Sequence, residues 1–477
     1  MSAGFQITLE QSRLFARLSG DFNPLHVDPV AARRLMFGST VVHGIDILLR
    51  LIERALRDTG THALAALEAS FGAPLLTGAR LSIEPTDEPD RPAGSFAYKG
   101  TSQGRVIQRV TLSMTQERGW PAPAPAAPFV PTPPQERDFT ALAAASGAVP
   151  LGFDPEIART LYPELSRSLP PLQLAVLLAT TRIVGMECPG LHSVYTEINL
   201  AFDTARANDG APLAFRVAKA DPRFKLLNIA IEGGGTSGHI QALVRPAPAV
   251  QPSFAEVRTR VARPAKPDCR ALVIGGGRGL GEISAKILAA AGADVIVTYA
   301  AGAEDAARVA SEIRAGGGRC EALRFDVTSP PCERPDDLPT DWAPTDIYYF
   351  ASPHIDIRPG EPWNAALFAR FCDFYVTGLA RSLAAVDAWL PAAKPLKLFY
   401  PSSVFLDEPV RGAAEYAAAK AAGEQLCRNL TVTRRGLTAE WPRLPRMLTD
   451  QTAGLKATQV RPPLDVMLGS LLPGSGQ

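Results

Sequence analysis

At 477 residues the chain is too long for one ordinary hydrophobic core, and at ~150 residues per domain it should hold about three. Forty-nine Lys and Arg against 48 Asp and Glu leave a formal charge of +1, so there is no basic field for nucleic acid or an anionic membrane, and a small-molecule partner is expected. The six cysteines (Cys188, Cys269, Cys320, Cys332, Cys372 and Cys427) form no CxxC pair, which disfavours a zinc site and fits reduced, buried thiols.

The N-terminal MSAGFQITLEQSRLF has no basic-plus-apolar signal pattern, and no apolar run approaches the ~20 residues needed to cross a bilayer. A cytoplasmic protein is expected. Two proline-rich stretches, 120–134 and 245–267, read as semi-rigid spacers and divide the chain into blocks at 1–119, 136–248 and 268–477.

The first block reads as a short helix, the polar stretch SGDFNPLHVD (19–28), and a long amphipathic helix in VVHGIDILLRLIERALR. Strand-like runs follow in LEASFGAPLLTGARLSIEP, GSFAYKG and RVIQRVTLSMT. The second block repeats that outline, with a helix in LPPLQLAVLLATTRIVGM and strands around HSVYTEINLAF, LAFRVAKA, LLNIAIEGG and GHIQALVRP. It has no counterpart of the polar stretch, which suggests a duplication with one half retained for shape. His192 and His239 in this block carry no motif and read as structural or surface residues.

Asp21 and His26 lie too far apart for one helical face, but Pro24 makes a turn in which carboxylate and imidazole can converge on a water. Such a pair suits adding water across a polarised double bond. Asn23 can orient the pair, and Asp28 is placed to cap the following DPVAARRL. In VVHG the amide of Gly44 opens the long helix and is a candidate donor to an oxyanion, with His43 read as a satisfied helix-start residue.

SGDFNPLHVDPVAARRLMFGSTVVHG resembles the hydratase motif of the MaoC-like hot-dog family, the (R)-specific enoyl-CoA hydratases. The resemblance implies Asp21 and His26 as the catalytic pair, Asn23 as a positioning residue and Gly44 as donor to the thioester carbonyl. It spans residues 10 to 115. The second block is similar in outline to the non-catalytic half of double hot-dog hydratases, whose place is to accommodate the acyl chain.

The third block alternates apolar strands (RALVIGG, DVIVTY, CEALRFDV, DIYYFAS, LKLFYPSS, LTAEW) with helical segments, the pattern of a doubly wound parallel sheet. IGGGRGLGE follows a strand and opens a helix, so Gly275, Gly279 and Gly281 suit a dinucleotide pyrophosphate. The second strand ends in VTYAAG without an acidic residue and Arg278 lies in the loop, both favouring NADP(H), with NAD(H) as the alternative. Tyr416 and Lys420 share a face of the helix EYAAAK, where the lysine's charge should lower the phenol's pKa, and Ser403 at a strand end should hold the same substrate oxygen.

This block resembles a short-chain dehydrogenase/reductase with a Rossmann-type fold. GGGRGLG, including Leu280, stands for the cofactor loop, Asp326-Val327 for the adenine contact, and Ser403, Tyr416 and Lys420 for catalysis, with Tyr416 and Lys420 also meeting the cofactor. Three departures stand out: FASP (350–353) in place of an Asn-Asn-Ala-Gly run, Tyr375 where a catalytic Asn is expected, and an ending that lacks the family's last strand. His354 beside FASP reads as a loop histidine.

Together the resemblances imply a bifunctional enzyme: hydration or dehydration of enoyl and (R)-3-hydroxyacyl thioesters, and NADP(H)-dependent reduction of 3-oxoacyl thioesters. The carrier would be coenzyme A or an acyl carrier protein, and the enzyme a homo-oligomer. Two alternatives stay open for the third block: a reductase of an unrelated carbonyl, or an NADP(H)-binding scaffold without turnover.

Overall fold

Thr8 and Gln11 form a reciprocal capping box that starts the helix Leu9–Ser19, and Gly20 ends it. Gly20 has φ of +81°, a left-handed turn suited to glycine, and it reverses the chain so that Asp21 points inward. A computed structural model describes residues 4–86, 94–208, 210–261, 264–329, 334–335, 338, 342–390, 394–452 and 460–473. It divides into two units, Met1–Ala247 and Pro248–Gln477.

The first unit is a ten-stranded antiparallel sheet in the order Phe5–Gln6, Arg80–Pro85, Ser95–Ser102, Arg105–Thr115, Ala63–Phe71, Ser193–Phe202, Thr236–Val244, Leu226–Gly233, Leu213–Asp221 and Ser146–Val149. Ala63–Phe71 pairs with Ser193–Phe202, with Leu67 opposite Leu200, so one continuous sheet joins the first two sequence blocks. Each half lays one long helix on that sheet. Gly44–Thr59 buries Ile45, Leu48, Leu49, Ile52 and Leu56 while Arg54 and Arg57 stay at the surface, the amphipathic pattern read from the sequence.

Pro171–Arg182 is different: every residue from Leu172 to Arg182 is buried. A helix enclosed on all sides must be apolar nearly all round, and the polar groups it carries must find partners. Gln173 does so by exchanging hydrogen bonds with the backbone of Leu64, at 2.8 and 2.9 Å. At roughly 2 kcal/mol per fully buried Leu or Val, Leu172, Leu174, Val176, Leu177 and Leu178 pin this helix firmly into the core.

The second unit is a six-stranded parallel sheet in the order Arg319–Arg324, Asp294–Tyr299, Arg270–Ile274, Asp346–Tyr349, Leu396–Phe399 and Leu437–Glu440. These are the six strands read from the sequence, wound outward in both directions from the first. A two-residue parallel ladder, Ser402–Ser403 with Arg443–Leu444, extends the fifth-strand region. Among the described residues no strand pairs beyond Leu437–Glu440.

Of the cysteines, Cys188, Cys269, Cys320 and Cys427 are buried, Cys372 is partly exposed, and all five are unbridged. Cys332 lies outside the described residues. No helix among the described residues is long and apolar enough to cross a membrane.

Candidate functional sites

In the first unit, the turn Asp21–His26 folds around Asn23. The Asn23 carbonyl oxygen of the side chain accepts from the Leu25 amide, capping the short helix Pro24–Val27. Its Nδ2 donates among three carbonyls, those of Gly185, Gly190 and Leu191, at 3.1 to 3.2 Å. Its backbone amide donates to Asp21 Oδ1 at 3.2 Å. Asn23 therefore ties the turn to the second half of the sheet and to the carboxylate at once. Asp28 caps the next turn, accepting from the Val30 and Ala31 amides.

Asp21 is 1% exposed, and burial raises its pKa above the usual carboxylate range, against the opposing pull of His26 and of hydrogen bonds from Thr181 and Asn23. His26 is partly exposed, and its Nδ1–H donates to the Val41 carbonyl at 2.7 Å, which leaves Nε2 as the lone-pair nitrogen. Burial lowers its pKa, so the neutral imidazole is favoured. Donor atoms of Asp21, His26 and His43 all lie within 4.8 Å of one another. Within that limit one bridging water can reach both the carboxylate and an imidazole.

His43 does more than start a helix. Its ring stacks on His26 with centroids 3.9 Å apart, and its Nε2–H donates to the Asp21 backbone carbonyl at 3.0 Å. Gly44 follows as the first helical residue, whose amide has no intrahelical acceptor. A Cβ on Gly44 would meet the Phe71 ring at 2.6 Å, so the aromatic wall lies directly against that amide's residue.

Burial holds the His43 pKa well below its ordinary value. Below pH ~6.5 the unfolded chain takes up a proton that folded His43 refuses, so this stabilisation is complete above that pH and is lost as pH falls. The melting temperature of the wild type should therefore decline between pH ~6.5 and ~5, and His43→Gln should decline less steeply. Calorimetry of the two proteins across that range checks this, and equal slopes would contradict it.

Two residues that the sequence reading missed complete the site. Thr181 Oγ1 donates to Asp21 Oδ2 at 2.7 Å, and Gly185 presses its backbone on the same carboxylate: a Cβ there would lie 2.2 Å from Oδ1. Gly185 sits in a π-helical turn, Ile183–Glu187, that continues the buried helix. The legible signal was the polar Thr-Thr-Arg that ends a helix whose other residues, Gln173 apart, are apolar. Gly185→Ala should displace Asp21 and cut turnover at this site by ~100-fold or more, since misplacements of about 1 Å cost that much. A steady-state assay checks it; near-normal turnover would contradict it.

In the second unit, the glycine loop leads from the strand Arg270–Ile274 into the helix Gly279–Ala290. Gly275 and Gly279 have φ of +79° and +57°, and a Cβ on Gly281 would lie 2.1 Å from the Gly275 carbonyl oxygen. The loop is thus closed to side chains and presents the amides of Leu280 and Gly281 in the first helical turn, a fit for a dinucleotide pyrophosphate. Arg278 caps the loop and lies 3.7 Å from Asp450. Asp326 is engaged in a turn, accepting from the amide and hydroxyl of Thr328, and Val327 is buried.

Ser403, Tyr416 and Lys420 come together at the carboxyl end of the sheet, each less than a tenth exposed. Burial raises the Tyr416 phenol to about 12, with the Ser403 hydroxyl pulling it down. Burial lowers Lys420 to about 7. Its Nζ donates to the Pro401 carbonyl at 2.8 Å and lies 4.0 Å from the centre of the Tyr375 ring and 4.8 Å from that of Tyr400. The supporting ladder is held by Glu424 on the Tyr416 helix, which accepts from Ser402 and, through both oxygens, from Arg443.

The FASP run lies against the loop, since a Cβ on Gly275 would meet the Ala351 amide nitrogen at 2.9 Å. Tyr375 lies within a π-helical segment, Asp373–Gly378, and its hydroxyl shares a 2.7 Å hydrogen bond with Ser352. Its ring packs edge-on to Tyr416 with centroids 5.7 Å apart. His354 occupies an irregular loop, where burial lowers its pKa. In the first unit His192 bonds Glu136 at 3.0 Å and His239 lies on a strand opposite Asn199.

Comparison with known proteins agrees with this division. Residues 2–91 match the MaoC like domain, and residues 270–332 match the short chain dehydrogenase family. A probable dehydratase, NIT22, of Ajellomyces capsulatus is 33% identical over 84 residues, which is 17% of this chain and 22% of that protein. The chain thus aligns with about a fifth of that relative's length. Among solved structures, a dehydrogenase/reductase of Sinorhizobium meliloti is 22% identical, with 46% of this chain and 92% of that one covered and a TM-score of 0.35. A short chain dehydrogenase of Burkholderia cenocepacia, solved in complex with NADP, is 23% identical over 44% of this chain and 91% of that one, with a TM-score of 0.35. The chain therefore joins a MaoC-like dehydratase domain of hot-dog fold, at its N-terminus, to a short-chain dehydrogenase domain built on a parallel Rossmann-type sheet.

Proposed function

We propose that the first unit adds water to trans-2-enoyl thioesters, or removes it from (R)-3-hydroxyacyl thioesters, and that the second reduces 3-oxoacyl thioesters with NADPH. The observation that carries the first half is the buried Asp21 carboxyl beside a neutral His26 whose Nε2 is free to accept, with ligand atoms of the two residues within 4.8 Å of each other. His26 Nε2 takes a proton from the water as its oxygen attacks the β-carbon. Asp21, with its raised pKa, holds the proton delivered to the α-carbon. The Gly44 amide at the helix N-terminus stabilises the enolate oxygen of the thioester.

For the second unit, the loop of Gly275, Arg278, Gly279, Leu280 and Gly281 would hold NADPH, with Asp326 and Val327 at the adenine. The lack of an acidic residue in VTYAAG (297–302) and the cationic Arg278 favour the 2′-phosphate. Bound NADPH supplies the hydride. Tyr416 gives its phenolic proton to the carbonyl oxygen, Ser403 donates a hydrogen bond to that oxygen, and Lys420 restores charge balance beside the phenol. Tyr375, hydrogen-bonded to Ser352, offers a hydroxyl where the resemblance expects an Asn relay.

One intermediate, the (R)-3-hydroxyacyl thioester, would link the two chemistries. Separate assays with but-2-enoyl-CoA for hydration and acetoacetyl-CoA with NADPH for reduction test the reading. NADPH binding without turnover across such substrates would favour a nucleotide-binding scaffold, and turnover of unrelated ketones alone would favour an uncoupled reductase.

A further inference from the structure

Arg245 directly follows the strand Thr236–Val244 and is 1% exposed, one of the largest fully buried side chains of the chain. Its Nη2 donates to the Leu191 carbonyl, while Nε and Nη1 are buried without a partner among the described residues. Burial lowers its pKa, to about 10, and no carboxylate among the described residues pairs with it. A guanidinium taken out of water without a counter-charge is strongly unfavourable, and such groups are ordinarily paired with an anion.

The Leu191 carbonyl that Arg245 bonds is also an acceptor of Asn23 Nδ2, so the two donors lie within ~6 Å of each other. Asn23 in turn bonds the Asp21 carboxylate through its amide. The positive charge of Arg245 is also one of the influences that lower His26. The unpaired cation is thus part of the neighbourhood of the water-handling pair.

We propose that Arg245 binds a carboxylate carried by the acyl group, so that the first unit acts on dicarboxylic 2-enoyl and 3-hydroxyacyl thioesters. This rests on the thioester reading given above. The carrier's phosphates bear similar charge, but the pantetheine arm separates them from the reacting carbons, whereas Arg245 shares the Leu191 carbonyl with Asn23, whose backbone amide bonds Asp21.

The test compares full-length wild type and Arg245→Met on two thioesters of equal chain length, but-2-enoyl-CoA and fumaryl-CoA, in which a carboxylate replaces the terminal methyl. The wild type should favour fumaryl-CoA by about 100-fold in kcat/KM, the size expected for an anion meeting a buried, otherwise unpaired charge. Arg245→Met should lose most of that preference, and Arg245→Lys should retain part of it. A variant that merely misfolded would lose both substrates in proportion, but the wild-type ratio alone still decides the matter. Wild type that hydrates but-2-enoyl-CoA as well as fumaryl-CoA would overturn the proposal and leave the hydratase reading standing. Hydration of neither would overturn both. Equal losses on both substrates in Arg245→Met, with weakened inhibition by adenosine 3′,5′-bisphosphate, would assign Arg245 to the carrier's phosphates instead.

Discussion

Asp21→Asn should lower enoyl hydration by at least ~10³-fold while leaving the NADPH-dependent reaction of the same chain at its wild-type rate. The magnitude follows from removing a general acid–base group, typically 10²–10⁴-fold, at a site where its partner His26 has no substitute. The specificity follows from the fold. Asn keeps the shape of the side chain: its oxygen can accept from the Asn23 amide, and the Thr181 hydroxyl, able to donate or accept, can take a hydrogen bond from its NH2. Because burial already disfavours the charged carboxylate, an uncharged amide there costs little stability. Loss of hydration with an unchanged melting temperature is therefore the expected pair of results. A variant that hydrated normally would remove Asp21 from the mechanism.

The second large effect is expected from Tyr416→Phe, which should lower carbonyl reduction by ~10³-fold and leave hydration untouched. In the proposed reaction the phenol beside Ser403 is the proton donor, and the substitution removes that proton without opening a cavity among Phe371, Tyr375 and Phe405, whose rings surround it. Binding of NADPH, followed by quenching of intrinsic fluorescence, should persist. Persistence of reduction would instead direct attention to another hydroxyl, and Tyr375, bonded to Ser352, is the nearest in chemistry.

Much of both sites was legible because their key residues are close in sequence. Asp21, Asn23 and His26 fall within one turn shaped by Pro24, and Tyr416 and Lys420 share a helix, so short-range geometry fixes their relation. The strands and long helices were legible for a similar reason, since periodicity reports which face is buried. What was not legible depends on partners far along the chain. Thr181 reaches Asp21 from 160 residues along the chain and Gly185 from still further, and the second half, read as retained for shape, supplies the groups that orient the carboxylate.

Lys420 illustrates the same limit. Its face of the helix was predictable, but its surroundings were not: Tyr375 and Tyr400 come from separate elements, and their rings enclose the ammonium. The expectation that its charge lowers the Tyr416 phenol meets a different balance, in which burial raises the phenol and lowers the lysine toward neutrality. Likewise, nothing in RPAPAV announces that Arg245 will be buried without a counter-charge. That fact exists only once the strand, the Leu191 loop and the Asp21 turn are packed together.

The most direct test of a two-step thioester enzyme is the product mass spectrum of the full-length protein incubated with NADPH and 3-oxoacyl thioesters, methyl-ended and carboxylate-ended, on coenzyme A and on an acyl carrier protein. Successive appearance of the 3-hydroxyacyl and the 2-enoyl product, a gain of two hydrogens and then a loss of water, is the expected result. Unchanged 3-oxoacyl thioester, in the presence of bound NADPH, would contradict it.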